Sequence, residues 1–290
     1  MNEPTTPSPP SDDGRPDPSN GAALTAHDPA TDELVHLDVS RGVATITLDS
    51  PANRNALSAR LRRELLTHLQ TAIDSPAARV IVLTHTGTVF CAGMDLKEAA
   101  GADAAGQGVN EFPRILSLLW HSPTPIVARL AGTARAGGVG IVAACDLAVA
   151  ADDVRFAFSE VRVGVVPAVI SVPVLPRVAP RAAHELMLTG EAFDAVRAAA
   201  IGLITRAVPA DELDAEVAAS CDRLALGGPD ALAATKQVLL DAHAPGLDAS
   251  FDAMLALSAH HFASEEGQEG IRAFAEKRAA SWVPAENPSR

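Results

Sequence analysis

The chain has 290 residues, of which 48% are hydrophobic and 20% charged, a balance typical of a globular protein with one large domain or two small ones. The net charge of −13 argues against nucleic acid or an anionic membrane as the main partner. There is no signal-peptide pattern, and no apolar run reaches the roughly 18 residues of a membrane-spanning helix.

Residues 1–30 are rich in Pro, Ser, Asp, Asn and Gly, with almost no large apolar side chain. Such a segment cannot offset the entropy cost of ordering, so we predict a disordered tail. We favour an inert extension over a docking segment. From Leu34 the residue pattern changes. Apolar and polar residues alternate in the runs 34–39 and 43–48, which predicts a hairpin with its turn at Arg41 and Gly42.

Helices and strands then alternate along the chain. Ser58 is a plausible N-cap for a helix that runs to about Ile73, and the β-branched run 80–84 predicts a buried strand. Residues 101–110 predict a flexible surface loop, with a helix after it to about Trp120.

The repetition of strand, turn and helix continues and indicates an α/β architecture. The further predicted elements are a strand at 125–130, a helix at 137–144, and strands at 147–150 and 155–158. After about Asp211 the chain reads as helices only.

Two glycine-bearing turns, 90–96 and 136–140, each follow a strand-like run and could aim a backbone N–H at one point. Two such donors can form an oxyanion hole, which stabilises negative charge on a carbonyl oxygen. Glu160 lies among apolar residues, which raise the pKa of a carboxyl and suit it to move a proton at the adjacent carbon. The combination suggests chemistry on a thioester enolate, although each turn alone is equally well a tight connection.

In this order, these segments resemble the enoyl-CoA hydratase/isomerase (crotonase) family. The resemblance covers roughly residues 34–282 and is carried by 53–58, 90–97, 124–146, 159–167, 188–190 and 200–204. It implies an α/β fold with a crotonase-type ββα spiral core at 31–210, built from stacked turns of two roughly perpendicular sheets. It also implies a C-terminal helical region at 211–290 that forms trimers or dimers of trimers, an acyl-CoA thioester as substrate, and no separate cofactor.

By this resemblance the N–H groups of Met94 and Gly137 would bind the thioester oxygen, and Glu160 would be the catalytic carboxyl. The residues that it assigns to substrate binding are Arg54, Ala56, Ala92, Asp95, Leu96, Lys97, Arg135, Gly138, Gly140, Phe262 and Lys277. Arg54 and Lys97 would contact CoA phosphates, the backbone of Ala56, Asp95 and Leu96 would face the adenine, and the segments of Phe262 and Lys277 would reach CoA from a neighbouring subunit. For each cation the alternative is a solvated surface charge.

Gly140 departs from the two-acid hydratases, which carry a second Glu at this position. Three readings remain open: a hydratase with one carboxylate, a Δ3,Δ2-enoyl-CoA isomerase, and a non-catalytic acyl-CoA-binding paralogue. The segment 159–171 resembles the 3-methylglutaconyl-CoA-type hydratases, which favours the first reading. A β-methyl substituent would stabilise positive character at the carbon that receives water, so weaker activation of the water could suffice.

Arg135 lies in an otherwise small and apolar stretch just before the Gly137 turn. We favour a structural ion pair with Asp146 or Asp152, and the alternative is an anchor for a distal substrate carboxylate, which a planar guanidinium suits.

Other kinds of chemistry have no support in the sequence. The three cysteines form no C-x-x-C pair or zinc spacing, which fits a reducing cytoplasm, and the histidines show no ligand spacing beyond the adjacent His260 and His261. There is no G-x-S-x-G motif and no Rossmann G-x-G-x-x-G, so neither metal, serine-triad nor nicotinamide chemistry is expected.

Overall fold

The structure is a computed structural model that describes residues 1, 33–99, 111–241, 247–278 and 280. The predicted tail, apart from Met1, and the predicted loop at 101–110 lie outside the described residues.

The described strands are β1 (Val35–Ser40), β2 (Val43–Leu48), β3 (Val80–His85), β4 (Val89–Cys91), β5 (Ile126–Leu130), β6 (Thr133–Arg135), β7 (Leu147–Ala151), β8 (Arg155–Ala157), β9 (Ala192–Asp194) and β10 (Arg206–Val208). The described α-helices are α1 (Ala59–Asp74), α2 (Leu96–Ala99), α3 (Glu111–His121), α4 (Gly137–Ala144), α5 (Ala168–Val174), α6 (Pro180–Thr189), α7 (Ala195–Ala200), α8 (Leu213–Ala225), α9 (Pro229–Asp241), α10 (Leu247–Ala263) and α11 (Glu265–Glu276). Short 3-10 helices are formed by Pro51–Asn53, Glu160–Val163 and Ala210–Glu212.

The strands form two sheets that the chain visits in alternation. The first sheet has the order β1-β2-β3-β5-β7-β10, and the second has the order β4-β6-β8-β9. From β3 to β8 each strand of the first sheet is followed by one of the second, and neighbouring strands of these turns pair in parallel. Helices follow β4, β6 and β8, so the path repeats strand, strand and helix. The α/β class and the ββα repetition are confirmed.

Local signals placed most of the early elements correctly. The hairpin of β1 and β2 is antiparallel, and both turn residues have positive φ, 52° at Arg41 and 82° at Gly42. This is the pattern of a type I′ turn. The Ser58 hydroxyl accepts a hydrogen bond from the Leu61 N–H at 3.3 Å, as expected of the N-cap of α1. The three-residue strands β9 and β10 were not predicted, because so short a run carries no alternation.

Helix α4 lies in the hydrophobic core. All eight residues of α4 are buried, which explains why this helix is apolar on every face. Only Ala136 separates β6 from Gly137, the first residue of α4, so the helix N-terminus lies at the C-terminal end of this internal strand of the second sheet.

The residues described after β10 form only helices. They pack back on their own chain: α8 lies against β5 and β7, α10 against α5, and α11 against the 3-10 helix that begins at Glu160. No helix among the described residues is long and apolar enough to cross a membrane. The trimeric assembly stays a prediction.

Candidate active site

The two glycine-bearing turns lie against each other, backbone to backbone. Gly93 has a φ of +94°, and a Cβ there would lie 2.9 Å from the Ala136 Cβ and 3.3 Å from the Gly137 nitrogen. A Cβ at Gly138 would lie 2.5 Å from the carbonyl oxygen of Cys91. Only residues without a side chain allow this approach, so the glycines are required by the contact between the turns.

Among the described residues, the Met94 N–H of the first turn has no hydrogen-bond partner. Met94 forms an isolated parallel bridge with Leu57, and its hydrogen bond runs from the Leu57 N–H to the Gly93 carbonyl at 2.8 Å. In this register of a parallel bridge, the amide of the bridging residue itself takes no part. The Met94 N–H is therefore available to a ligand beside the second turn.

The second turn presents the Gly137 N–H at the start of α4. The N–H groups of Val139 and Gly140 both donate to the Ala136 carbonyl, at 2.9 and 3.2 Å, whereas the N–H at the first helical position has no partner within the helix. Ala136 adopts φ 46° and ψ −119°, a strained conformation for a residue with a Cβ, and its N–H is anchored to the Ala157 carbonyl at 3.0 Å. The positive end of the helix dipole adds to the attraction for an anion at this point.

Glu160 begins the 3-10 helix that follows β8. The residue as a whole is half-buried, but its Oε2 atom is shielded from solvent and has no hydrogen-bond partner among the described residues. Burial raises the pKa of the carboxyl to about 7, and a hydrogen bond from its own backbone N–H lowers it slightly. No charged neighbour in the described part of the chain is among the causes of the shift, so the carboxyl is not neutralised by an ion pair.

The 3-10 helix of Glu160 is held by segments that are distant in sequence. The Nε of Arg162 donates a 2.9 Å hydrogen bond to the carbonyl of Thr189, which is the last residue of α6. The next residue, Gly190, has φ +63°, and a Cβ there would lie 2.8 Å from the Arg162 Cγ. On another side α11 packs against the same 3-10 helix. The position of Glu160 therefore depends on tertiary contacts.

Packing fills the space beside residue 140, the position of the second Glu in two-acid hydratases. A Cβ at Gly140 would lie 2.6 Å from Cγ2, 3.0 Å from Cβ and 3.5 Å from Cα of Ile170, in α5. A longer side chain fits at residue 140 only if Ile170 or α5 moves. The absence of the second carboxylate is thus built into the packing of α4 against α5.

The loop before α1 lies next to the first turn. The Arg54 carbonyl accepts from the Ala92 N–H at 3.1 Å, and the Asn53 amide donates to the Asp95 carboxylate at 2.8 Å. Ala56, two residues after Arg54, is buried, and these hydrogen bonds bring the loop of Arg54 and Ala56 next to Ala92 and Asp95. Their roles in binding CoA stay predictions. Leu96 and Lys97 begin α2; Leu96 is half-buried, and Lys97 and Arg54 are exposed.

Arg135 is exposed, and within the described residues it forms no ion pair. The predicted pair with Asp146 or Asp152 is wrong. Asp146 instead accepts from the Lys236 ammonium at 2.6 Å and from the Ile126 N–H at 2.7 Å, which joins α9 to the core. The Arg135 guanidinium therefore remains available to a ligand.

The two C-terminal assignments lie on helices of the same chain. Phe262, in α10, is half-buried, and its carbonyl accepts from the Gln268 amide at 2.7 Å. Lys277 is exposed and ends α11 with φ 55°. Their contact with the CoA of a neighbouring subunit stays a prediction.

Sequence reasoning assigned no role to several residues that shape the site, namely Leu57, Arg62, Ile170, Arg162 and Gly190, although all except Arg62 lie in segments that carry the resemblance. Their roles arise from tertiary contacts, which a local motif does not specify. The described His, Cys, Asp and Glu residues include no group arranged to hold a metal ion. Burial raises the pKa of the Cys91 and Cys145 thiols to about 12, so neither is a thiolate nucleophile at neutral pH.

The fold and the site have the features that the resemblance implied: a spiral of ββα turns, two adjacent glycine turns and the buried carboxyl of Glu160. The enoyl-CoA hydratase/isomerase family model matches residues 38–284, and the chain belongs to this family. The predicted family and the crotonase fold are confirmed, and the protein is an enzyme of this family.

The chain is similar to proteins whose names refer to more than one reaction. It is 32% identical to the mitochondrial enoyl-CoA hydratase domain-containing protein 3 of Rattus norvegicus over 270 residues, covering 91% of this chain and 89% of that protein. A crystal structure of an enoyl-CoA hydratase from Mycobacterium avium matches with a TM-score of 0.78 and 41% identity, over 87% of this chain and 100% of that one. Methylmalonyl-CoA decarboxylase in complex with 2-nitronate-propionyl-CoA matches with a TM-score of 0.75 and 26% identity, over 87% and 99% of the two chains.

Proposed function

We propose that the protein is an enoyl-CoA hydratase that adds water to an α,β-unsaturated acyl-CoA with Glu160 as its single catalytic carboxyl. The observation that carries this proposal is the Oε2 of Glu160, which is shielded from solvent and has no partner in the described part of the chain, with a pKa of about 7. About half of such carboxyls are ionised at neutral pH, so the group can both accept and return a proton. A non-catalytic paralogue would leave this carboxyl exposed or in an ion pair, whereas Oε2 is shielded from solvent and no ion pair forms between Glu160 and the other described residues.

In the proposed reaction the N–H groups of Met94 and Gly137 donate to the thioester oxygen. They stabilise the enolate that forms when the oxygen of water bonds to the β-carbon. The Glu160 carboxylate takes one proton from that water and delivers it to the α-carbon, so the carbon–carbon double bond becomes single and the carboxylate is regenerated. One carboxylate is sufficient, because the same proton leaves the water and reaches the α-carbon.

The substrate that we favour is β-branched, of the 3-methylglutaconyl-CoA type. The apolar Ile170 occupies the space beside Gly140, where a second acid would otherwise help to hold the water. A substrate whose β-carbon tolerates positive character needs less activation of the water, which suits a site with one carboxylate.

Arg135 is the proposed anchor for a distal carboxylate of such a substrate, since it is exposed and makes no ion pair in the described residues. Arg135→Ala should reduce kcat/KM for a dicarboxylic acyl-CoA about tenfold and leave a monocarboxylic one unchanged, because only the former loses a charge-assisted hydrogen bond. Equal effects on both substrates would reject the anchor. The Arg54 and Lys97 side chains are the proposed CoA phosphate contacts.

The second candidate is a Δ3,Δ2-enoyl-CoA isomerase. The packing of Ile170 against Gly140 favours it, because a site without a second acid can move a proton within the substrate and needs no ordered water. Glu160 would then remove a proton from the α-carbon of a 3-enoyl thioester and return it to the γ-carbon.

Incubation with crotonyl-CoA, 3-methylglutaconyl-CoA and 3-hexenoyl-CoA in H₂¹⁸O, with the products read by mass spectrometry, separates these functions. A hydratase incorporates ¹⁸O, and Glu160→Gln should reduce the rate about a thousandfold, as expected for loss of an acid–base group. Glu191→Gln, which changes an exposed carboxylate after α6, is the matched control. Unlabelled, isomerised product would identify an isomerase, and no turnover of any substrate would reject both proposals.

A further inference from the structure

Arg62 is a charged side chain in the core that the reaction described above does not use. It lies on α1 with 2% of its side chain exposed. Its Nη1 donates to the Leu57 carbonyl at 2.5 Å, and its Nε donates to the Glu111 carboxylate at 3.1 Å. A buried guanidinium is costly unless its donors are used, so both contacts matter to the core around it.

The first contact reaches a residue that touches both glycine turns. Leu57 donates its N–H to the Gly93 carbonyl at 2.8 Å and bridges Met94. Its Cδ1 lies 2.9 Å from the position of a Cβ on Gly137. Leu57 therefore joins the two turns, and Arg62 holds the carbonyl of Leu57.

The second contact is with Glu111, the residue before the other neighbour of Gly137. Glu111 is the first residue of α3, and Phe112 follows it with its Cζ 3.3 Å from the Cβ position on Gly137. Through separate donors, the Arg62 guanidinium thus holds Leu57, which contacts the Gly137 position, and Glu111, which precedes the other neighbour of that position, Phe112.

We propose that Arg62 is a positioning residue that sets the spacing of the Met94 and Gly137 N–H groups. This rests on the proposed function, in which those two groups form the oxyanion hole. A displacement of about 1 Å in a reacting geometry can cost about a hundredfold in rate. Loss of the Arg62 contacts should therefore lower kcat, because Leu57 contacts both turns. Arg62 does not touch the substrate in this account.

The test uses Arg62→Lys and Glu111→Ala, with Arg63→Lys as the control. Lysine keeps the charge but lacks the planar fork that reaches two acceptors. Glu111→Ala removes one acceptor and leaves the contact with Leu57. Arg63 is the next residue of α1 and is exposed. Two readouts are compared: steady-state kcat and KM for crotonyl-CoA, and the shift to longer wavelength in the absorbance of bound cinnamoyl-CoA, which reports polarisation of its carbonyl without turnover.

We expect Arg62→Lys to lower kcat on the order of tenfold with KM within about twofold, and to reduce the absorbance shift. Glu111→Ala should act in the same direction by about threefold, and Arg63→Lys should change neither readout.

Loss of thermal stability with wild-type kcat and an undiminished shift would overturn the proposal, since Arg62 would then be structural only. If Arg62→Lys fails to fold, Glu111→Ala decides in the same way. A wild-type enzyme that shifts the absorbance without hydrating any substrate would reject the proposed reaction, while the shifts of the variants would still judge Arg62.

Discussion

The two halves of the site are built in different ways. The oxyanion half consists of backbone groups from two glycine turns in direct contact, with the Gly138 position 2.5 Å from the Cys91 carbonyl. The acid half is one side chain on a 3-10 helix, held by Arg162, by the end of α6 and by α11. Backbone contacts at this distance leave no room for a Cβ. The acid half tolerates more change, but the pKa of Glu160 depends on how well its surroundings exclude water.

The largest expected effect concerns the acid half. If Glu160 must start the reaction as a carboxylate, kcat/KM should fall about tenfold for each pH unit below its pKa of about 7. A rate profile from about pH 5 to about pH 9 measures this midpoint. A midpoint near the ordinary value of 4.5 would mean that the carboxyl is hydrated in solution.

The raised pKa of Glu160 also predicts how the stability of the protein depends on pH. The folded-state pKa of Glu160 lies above the ordinary value of 4.5, so the folded state binds the proton more tightly than the unfolded state does. The contribution of this group to the free energy of unfolding is therefore lost as pH rises from about 4.5 to about 7. Glu160→Gln should gain stability relative to wild type at pH 8 but not at pH 4, as measured by denaturant unfolding. An equal change at both pH values would contradict the assignment of the shift to Glu160.

In the oxyanion half, Gly138→Ala should lower the free energy of unfolding more than Gly137→Ala does. A Cβ at 138 meets the Cys91 backbone, which cannot move away, and should cost about 3 kcal/mol of unfolding free energy. A Cβ at 137 meets the ends of the Leu57 and Phe112 side chains, and should cost about 1 kcal/mol. Denaturant midpoints of the two variants measure the difference, and the reverse order would mean that the turns are less closely packed than described.

A further prediction concerns the packing of Gly140 against Ile170. Gly140→Ala should cost about 2 kcal/mol, because its Cβ would lie 2.6 Å from the Ile170 Cγ2. Adding Ile170→Ala should recover part of that loss, since the two changes share one volume and are not additive. Additive losses in the double variant would show that Ile170 is not the obstacle.

The smallest effect is expected at Gly190→Ala, which should cost about 1 kcal/mol because of its φ of +63° and the nearby Arg162. Loosening of the 3-10 helix should also move the pH midpoint of activity downward, as water reaches Glu160. The control is Gly228→Ala, whose Cβ would make only an ordinary contact 3.7 Å from the Ala231 Cβ. If both variants keep the wild-type midpoint, Arg162 and Gly190 do not control the burial of Glu160.

Much of the oxyanion half could be predicted from the sequence. The turns at Gly93 and Gly137 are short-range features, marked by glycine and by the strand-like run that precedes each of them, and the apolar run after Gly137 marks the helix that begins there. The acid half could be predicted only in part: Glu160 was identified as the candidate acid, but the contacts that hold its 3-10 helix were not. The ion pair proposed for Arg135 was wrong, because Asp146 is occupied by Lys236 from α9, 90 positions away.

The sequence by itself therefore determined the family, the α/β repetition, the hairpin, the N-cap at Ser58 and the absence of an acid at residue 140. These features depend on residue type and on spacing within a few positions, where sterics and hydrogen bonding act locally. Only the tertiary structure decided that Ile170 fills the space beside Gly140, that Arg62 joins Leu57 to Glu111, and that Oε2 of Glu160 is shielded and lacks a partner within the described ranges. Burial and long-range pairing depend on which distant side chains arrive at the same place, and local patterns in the chain do not specify that.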